Sequence, residues 1–364
     1  MKKLISLILA ACMLGGAVVG CGAQPEPAQE PIQSAGQPSA AAPADPPAYD
    51  RLTVFTSYPE SELPTYFNAF ERDTGITIDY IRLSAGEMTT RVLAERANPT
   101  ASIVYGCTID NFITLAEEGM LEAYQSPELD NIPAKYHDPD GFYNPVDVSA
   151  ICFTVNRDWF QENNLEYPKT WDDLLKPEFK GQVSMAHPAT SGTSYPIVAA
   201  LIHQMGEEKA WDYFAKLNQN VRHYTKSAAS PPTEVALGEA AIALVFSHDG
   251  LKPAAEGYPV EIVFPSDGTP SSVEAVGIIK GGPEKELDNA KLFVDWAMSV
   301  RGQELYIDSK SNRIPLNVNA SVTEGLTNPD DLAIIAYDPK WAAENKTTFV
   351  ETFKEKIASA DQLS

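Results

Sequence analysis

The fold of this chain is decided by residues 51–86, RLTVFTSYPESELPTYFNAFERDTGITIDYIRLSAG, in which two short β-branched runs flank an amphipathic stretch. Leu52-Thr53-Val54-Phe55 is typical of a strand, and Ile76 to Ile81 predicts a second strand. Between them lies Glu60 to Thr74, whose large apolar residues recur at helical spacing and which Gly75 follows as a helix-ending residue. The stretch therefore predicts a strand–helix–strand unit.

The same alternation continues after this unit. Ser84-Ala85-Gly86-Glu87 has the pattern of a capping box, which predicts that the next helix begins there. Ala101 to Tyr105 predicts a third strand, and Thr108 is placed to cap a helix that ends at Glu118. Alternating strands and helices build a parallel sheet flanked by helices, so the sequence predicts an α/β fold.

A second unit of alternating elements begins after Ser149 to Val155, an apolar run that predicts a strand. Its predicted elements are strand Gln182 to Met185, a helix from about Ser194, helix Glu207 to Leu217, strand Val221 to Tyr224, a helix from Ser230 to near Gly238, and strands Ala241 to Phe246 and Val260 to Phe264. The chain then predicts a return strand, Val273 to Ile279, and helices Glu284 to Val300 and Gly302 to Asp308.

This order predicts two α/β lobes joined by two crossings, near residue 150 and at residues 265–272. We assign residues 50–150 and 271–325 to lobe 1, residues 151–270 to lobe 2, and residues 326–364 to a C-terminal helical segment. A cleft between two such lobes is the usual place for a ligand.

The N-terminus has the pattern of a lipoprotein signal. Residues 1–20 combine Lys2 and Lys3 with an apolar run too short for a convincing membrane span. Cys21 follows small residues and is the predicted lipid attachment site; Cys12 fits the pattern too, but leaves a very short apolar segment. Residues 21–49 are rich in Pro and Ala and predict a disordered tether.

Composition restricts the class of protein. The sequence carries 27 basic and 50 acidic residues, a formal net charge of −23, which disfavours nucleic acid and suits an extracellular protein. Cys107 and Cys152 are either a disulfide pair or two buried thiols. The histidines are scattered, so no metal site and no cofactor are expected. The motifs GxSxG, GxGxxG and the phosphate-binding GxxxxGK loop are absent, so no catalytic residue is predicted.

Hydroxyl and glycine residues recur where the predicted strands end and helices begin. Such loops offer hydroxyl donors and free backbone N–H groups to an anion, although simple helix capping explains any one of them. The residues predicted to bind a ligand there are Thr56, Ser57, Ser84, Gly86, Thr108, Ser191, Gly192, Thr193, Ser194, Tyr195, Thr225 and Ser227.

A second set of polar residues differs in chemistry. Ser247-His248-Asp249 directly follows a strand, and Glu274 opens the return strand. Carboxylates accept hydrogen bonds from hydroxyls or an amine, and histidine can donate to a phosphate. Together with the hydroxyl loops, His248, Asp249 and Glu274 predict a ligand with a phosphoryl or phosphonate end and a hydroxylated or amino end.

At this point the chain resembles a known family, the type 2 periplasmic binding proteins of the ferric-ion, hexose-phosphate and aminoalkylphosphonate subgroup. The similarity extends over most of residues 51–315. The matching stretches are Leu83-Ser84-Ala85-Gly86-Glu87, Ala94-Glu95-Arg96-Ala97-Asn98-Pro99, Trp171-Asp172-Asp173-Leu174, Ala189 to Tyr195, Phe246 to Asp249, and Asn312-Arg313-Ile314-Pro315.

The resemblance implies a two-lobed type 2 periplasmic-binding-protein fold with two hinge crossings. It implies that His248, Asp249 and Glu274 face sugar hydroxyls, and that Ser57, Thr193 and Ser194 bind a phosphate. Ferric-ion receptors of the subgroup use adjacent tyrosines, which this chain lacks. Cys107 stands where a glycine is usual.

The resemblance also implies a monomeric receptor, not an enzyme, that passes a small anionic solute to the transmembrane subunits of an ABC permease. We expect it on the outer face of the cell membrane, held there only by its N-terminal lipid. A ferric-ion receptor of the same fold is one alternative. An extracellular hydrolase is the alternative from another class.

Overall fold

The computed structural model describes residues 49–359. The predicted signal peptide (residues 1–20), the lipid site at Cys21 and the predicted tether (residues 21–49) lie outside the described residues, apart from Tyr49. None of the helices within residues 49–359 has both the length and the apolar composition that crossing a bilayer requires.

The strands and helices alternate along most of the described chain. The strands are β1 (Arg51–Thr56), β2 (Thr77–Arg82), β3 (Ile103–Thr108), β4 (Leu121–Glu122), β5 (Asn144–Asn156), β6 (Val183–Ala186), β7 (Val221–Thr225), β8 (Ile242–Phe246), β9 (Val260–Val263), β10 (Ser271–Ile279) and β11 (Ile314–Pro315). The helices are α1 (Leu63–Thr74), α2 (Ala85–Ala94), α3 (Ile109–Glu117), α4 (Arg157–Glu162), α5 (Ser194–Met205), α6 (Glu207–Leu217), α7 (Ser230–Ala236), α8 (Ser247–Ala255), α9 (Leu287–Met298), α10 (Val300–Asp308) and α11 (Pro339–Lys356).

Two lobes are built from these elements. In lobe 1, β1 lies between β2 and β3 and is parallel to both, as the first strand–helix–strand unit predicts. In lobe 2, β6 lies between β7 and β8 and is parallel to both. The predicted capping box is present: the Ser84 and Glu87 side chains close the start of α2. The predicted two-lobed α/β fold is confirmed.

The lobes share the long strand β5. Its first half pairs with β10, as far as Ala150 opposite Ser271, and its second half pairs with β8 from Ile151 onward. The segment that ends at Pro270 returns beside this point, where the Ile151 N–H donates to the Pro270 carbonyl at 2.8 Å. We retain the predicted lobe limits as a proposal.

Among the differences from the prediction, two shifted boundaries and one unpredicted helix have identifiable reasons. β5 begins at Asn144, before the predicted Ser149, because its first residues pair with β10 and β11. α1 begins at Leu63, after the predicted Glu60, with a proline in its first turn. α8 was not predicted, because Pro253 lies inside it and proline normally breaks a helical pattern.

Each lobe has its own apolar core, and the C-terminal helix α11 belongs to that of lobe 2. Phe349 and Phe353 of α11 are buried in one cluster with Trp211 and Phe214 of α6. The Phe353 ring lies 5.8 Å from the Phe214 ring and 5.3 Å from the His187 ring, measured between centroids. Helix α11 is therefore part of the lobe 2 core.

We predict that Phe353→Ala lowers the free energy of unfolding by about 3 to 5 kcal/mol, because it leaves a cavity in the lobe 2 core. Urea denaturation followed by circular dichroism measures the change. Glu355→Ala, at an exposed position of the same helix, is the control and should remain within about 0.5 kcal/mol of wild type. Equal stability of the two variants would mean that α11 does not complete the core.

Candidate ligand-binding site

A cavity lies between the two lobes, where strands of both end. Lobe 1 contributes residues at or just after the ends of β1, β2 and β3, together with Glu274 of β10 and Arg313, and lobe 2 contributes the loops before α5 and α7 and the first turn of α8. The lining residues are Ser57, Pro59, Arg82, Ser84, Ala85, Cys107, Thr108, Thr190, Ser191, Gly192, Thr193, Ser227, Ala228, Ala229, Phe246, His248, Asp249, Glu274 and Arg313.

Most of the predicted ligand residues line this cavity. They are Ser57, Ser84, Thr108, Ser191, Gly192, Thr193, Ser227, His248, Asp249 and Glu274. The topology therefore brings both sets of predicted residues, the hydroxyl loops and the His-Asp-Glu set, to one place. Their role in binding stays a prediction.

The other predicted residues lie outside the lining, and three of them have side chains bonded elsewhere. The Tyr195 hydroxyl donates to the Ala342 carbonyl of α11, which fixes the ring in the lobe 2 core. The Thr225 hydroxyl donates to the Ser227 carbonyl at 2.9 Å. The Thr56 hydroxyl oxygen accepts the Tyr58 N–H at 3.2 Å.

Gly86 and Ser194 lie outside the lining as well. A Cβ at Gly86 would lie 2.5 Å from the Ala189 carbonyl oxygen, so a glycine is needed where the lobes approach each other. Ser194 is fully buried, and its hydroxyl has no hydrogen-bond partner among the described residues. Gly86 therefore permits the close approach of the lobes beside the cavity, whereas Ser194 is buried behind the loop that lines it.

Two arginines of the cavity were missed by the sequence analysis. Arg82 is the last residue of β2, and its Nη2 donates to the Ser227 hydroxyl of lobe 2 at 3.1 Å. Arg313 directly precedes β11, which pairs with β5 at the hinge. The only signal for Arg313 was its place in the family stretch Asn312 to Pro315; Arg82 had none.

Several of the lining hydroxyls are already engaged within their own lobe. The Ser84 hydroxyl donates to Glu87 at 2.8 Å, the Thr108 hydroxyl donates to Asp110 at 2.5 Å, and the Ser57 hydroxyl donates to the Gly106 carbonyl. At Ser84, the hydroxyl therefore caps helix α2, which is the alternative to anion binding that the sequence left open. A ligand beside these three residues meets hydroxyl oxygens whose hydrogens are already donated, whereas Arg82 and the hydroxyls of the lobe 2 residues Ser191, Thr193 and Ser227 are placed to donate to an anion.

His248, Asp249, Glu274 and Arg313 form what we call the ionic cluster. The Arg313 guanidinium bonds to the Glu274 carboxylate, and the His248 Nδ1 lies 2.6 Å from the Ser149 hydroxyl. Burial, with the nearby cations Arg313 and Lys252, holds the pKa of His248 well below its usual value. His248 is therefore neutral, and its 3.5 Å approach to Asp249 is not an ion pair.

Arg313 is 2% exposed and lies among three buried carboxylates. Besides Glu274, its Nε is 3.5 Å from Glu62 and its Nη1 is 3.8 Å from Asp147. Its guanidinium carbon lies 3.9 Å from the centre of the Tyr58 ring. Burial raises the pKa of Glu274 well above its usual value, and the Arg313 charge opposes that shift. The neighbouring carboxylates Asp147, Asp249 and Glu62 add to the effect of burial, so the pKa of Glu274 remains raised despite the arginine.

The lobes are in polar contact around the cavity. The Gly86 N–H donates to the Thr190 carbonyl at 3.2 Å, and the Lys226 ammonium lies 2.5 Å from the Glu87 carboxylate. Behind the cavity, the α11 residue Lys346 donates to Asp110 of α3 at 2.6 Å. Together with the hydrogen bond from Arg82 to the Ser227 hydroxyl, these contacts hold the two lobes in a closed conformation.

Both buried cysteines, Cys107 in β3 and Cys152 in β5, are free thiols. Cys107, where the resemblance implies a glycine, is one of the residues that line the cavity and also belongs to the buried apolar cluster that contains Phe112. Within residues 49–359 no group of three or more His, Cys, Asp or Glu side chains is arranged to hold a metal ion.

The fold and the interlobe cavity together define a two-lobed solute-binding protein of the periplasmic binding type. The chain belongs to the family of bacterial extracellular solute-binding proteins, whose model matches residues 98–339.

Named relatives and solved structures agree with this assignment. An uncharacterized protein of Haemophilus influenzae is 34% identical over 321 residues, which cover 86% of this chain and 92% of the relative. The periplasmic binding protein AfuA of Actinobacillus pleuropneumoniae, solved with fructose 6-phosphate bound, has a TM-score of 0.82 and 32% identity over 85% of this chain and 99% of its own. A putative 2-aminoethylphosphonate-binding periplasmic protein of Salmonella typhi is 26% identical over 244 residues, 65% of this chain and 69% of the relative.

We predict that His248 makes the stability of the protein fall in mild acid. Unfolded histidine takes up a proton near pH 6.5, whereas folded His248 stays neutral to lower pH. The folded state then binds fewer protons, so the free energy of unfolding decreases as the pH falls below that value, by up to about 1.4 kcal/mol per pH unit. Urea denaturation from pH 8 to about pH 5 measures it.

His248→Asn should show a shallower decline over this range. His203→Asn, at an exposed position of α5, is the control and should keep the wild-type profile. If His248→Asn and wild type decline with the same slope, the assignment of a neutral buried histidine is wrong.

Proposed function

We propose that this chain is a lipid-anchored receptor that captures a small phosphorylated or phosphonate solute and delivers it to an ABC permease. The observation that carries the proposal is the composition of the interlobe cavity. Arg82 and the loop before α5 line the same cavity as the ionic cluster of His248, Asp249, Glu274 and Arg313. A single solute with an anionic part and a hydroxylated part matches both sets of groups.

The anionic part is best matched by Arg82 and the loop before α5. Arg82 is always protonated and has planar donors suited to phosphoryl oxygens. Ser191, Gly192 and Thr193 form the loop that leads into α5, whose dipole favours an anion. The Thr193 N–H already donates to the Ser191 hydroxyl oxygen at 3.2 Å, so the candidate donors of this loop are the Gly192 N–H and the Ser191 and Thr193 hydroxyls. The same solute is thus held by lobe 1 and by lobe 2.

The other part of the solute is matched by acceptors. Asp249 and Glu274 carry carboxylate oxygens that accept from hydroxyls or from an ammonium group. Arg313 already bonds one oxygen of Glu274, which orients the carboxylate. A hexose phosphate fits this arrangement, and the fructose 6-phosphate bound to AfuA supports it; an aminoalkylphosphonate is the second candidate, supported by the Salmonella relative.

The mechanism we propose is hinge closure without catalysis. A solute that touches both lobes interacts more strongly with the closed than with the open conformation, and its binding energy therefore shifts the population towards the closed form. The closed form would dock on the permease, and the lipid at Cys21 would keep the monomeric receptor at the membrane surface.

We predict that fructose 6-phosphate binds with a 1:1 stoichiometry and that fructose does not bind measurably, because the phosphoryl group supplies the charge that Arg82 recognises. Isothermal titration calorimetry compares the two, with 2-aminoethylphosphonate and ferric citrate as further arms. Tighter binding of the phosphonate would select the second candidate. Binding of ferric ion alone, or turnover of the phosphate ester with release of inorganic phosphate, would contradict the proposal.

We predict that Asp249→Ala and Arg82→Met each raise the Kd for the bound phosphorylated solute at least about tenfold, because each loses charge-assisted hydrogen bonds. Thermal melting checks that the variants fold. Asp158→Ala, at an exposed position of α4, is the control and should bind like wild type. Unchanged affinity of both test variants would remove Asp249 and Arg82 from the site.

We predict that Cys21→Ser releases the protein from membranes, because the lipid is the proposed means of attachment. Fractionation of cells into membrane and soluble parts, with incorporation of labelled fatty acid, measures this. A Cys12→Ser variant separates the two candidate positions. Lipid on the Cys21→Ser protein would refute the assignment.

A further inference from the structure

One lysine next to the cavity joins the two lobes. Lys252 lies in α8 of lobe 2, and its ammonium group contacts Glu62, the residue that precedes α1 of lobe 1. The same ammonium lies 3.2 Å from Asp249, which lines the cavity. Lys252 therefore stands between two carboxylates that belong to different lobes.

This contact is much better shielded from water than the interlobe pair at the rim of the cavity. The Glu62 side chain is 1% exposed and the Lys252 side chain is 23% exposed, whereas Lys226 and Glu87 are 56% and 37% exposed. Ion pairs at the surface contribute little, while a buried, well-connected pair depends strongly on both partners. Lys252 to Glu62 is thus the stronger candidate for an interaction that stabilises closure.

Glu62 is itself held in place on its lobe 1 side. Its Oε2 accepts a hydrogen bond from the Tyr66 hydroxyl at 3.2 Å and lies 3.5 Å from the Arg313 Nε. Arg313 in turn bonds Glu274. A continuous series of charges therefore runs from Asp249 through Lys252, Glu62 and Arg313 to Glu274, and both of its ends line the cavity.

Without Lys252, closure would bring the carboxylates of Asp249 and Glu62 together, and like charges repel. With Lys252 between them, the approach of the lobes becomes favourable. Asp249 and Lys252 are three residues apart on one helix, so the lysine also fixes the orientation of the carboxylate.

We infer that Lys252 and Glu62 form a closing pair: Lys252 positions Asp249 for the solute, and its bond to Glu62 stabilises the closed lobes before any solute is bound. The inference rests on the proposed function. No part of the pair requires the solute, so the closed form is populated in the unliganded protein. Affinity then depends on that population, since the apparent Kd increases as the binding-competent fraction falls.

The test uses Lys252→Met and Glu62→Gln in the mature protein, with Lys176→Met as the control. Among residues 49–359, Lys176 forms its ion pair with Asp173 of lobe 2, so its loss removes a lysine without removing a contact to lobe 1. Fluorescent dyes on cysteines introduced at the exposed positions Thr90 in α2 and Lys216 in α6 report the interlobe distance by single-molecule energy transfer. Cys107 and Cys152 are buried and should not be labelled.

Without solute, both test variants should show a smaller closed population than wild type, and Lys176→Met should show the wild-type distribution. The Kd for fructose 6-phosphate should rise at least about tenfold in each test variant, chiefly through faster dissociation. The double variant should be little worse than either single variant, because both remove the same contact. Lys252→Arg should restore part of the closed population.

Unliganded distributions of Lys252→Met and Glu62→Gln that equal that of wild type would overturn the inference. Glu62 is outside the cavity lining, so a weaker Kd for Glu62→Gln does not arise from a lost solute contact. If wild type binds none of the phosphorylated solutes, the proposed function fails, but the distance measurement without solute still decides whether the pair closes the lobes.

Discussion

The architecture of the site depends on one buried cation, the Arg313 guanidinium, placed where the hinge strands meet. Asp147 of β5 and Glu274 of β10 are register partners across the hinge, and Glu62 approaches from the start of α1. Three buried carboxylates without a cation would be several kcal/mol too costly to remain charged. β11 delivers Arg313 to this point, and the Tyr58 ring and hydroxyl complete the packing: the hydroxyl donates to Asp147 at 2.7 Å.

This arrangement links the hinge to the ligand. Glu274 belongs both to a hinge strand and to the cavity lining, so its environment at the hinge also determines the protonation and orientation of a group that lines the cavity. Burial, with the nearby cations Arg313 and Lys252, lowers the pKa of His248, which therefore adds a group that can donate or accept without adding charge. The charge of this polar cavity is therefore set by a few fixed side chains, an arrangement that suits one class of solute.

Local interactions made much of the fold predictable. Periodicity and capping patterns identify elements that depend on residues close in the sequence, such as the first strand–helix–strand unit, the capping box at Ser84 and helix α6. The proximity of Ser57 and Thr108 was also predictable, because the parallel strands β1 and β3 end at the same edge of the sheet. His248, Asp249 and Glu274 were identified from their positions beside predicted strands, and the family resemblance implied that they face sugar hydroxyls.

The missed features depend on contacts between distant parts of the chain. Arg82 reaches the cavity because β2 pairs with β1, and Arg313 reaches it because β11 pairs with β5. No local sequence pattern predicts either position. Tyr195 shows the opposite error: it neighbours the loop before α5, but its hydroxyl bonds to α11, which lies far along the sequence. Helix α11 has an ordinary amphipathic sequence, so its place in the lobe 2 core could not be derived locally.

Whether the interlobe cavity binds a phosphorylated or phosphonate solute can be measured by native mass spectrometry of the freshly purified, undenatured protein, which identifies any solute bound there. We expect a 1:1 complex with a small phosphorus-containing acid, which denaturation releases intact and which rebinds to the refolded protein. A metal ion or an uncharged or cationic solute bound in that ratio would contradict it.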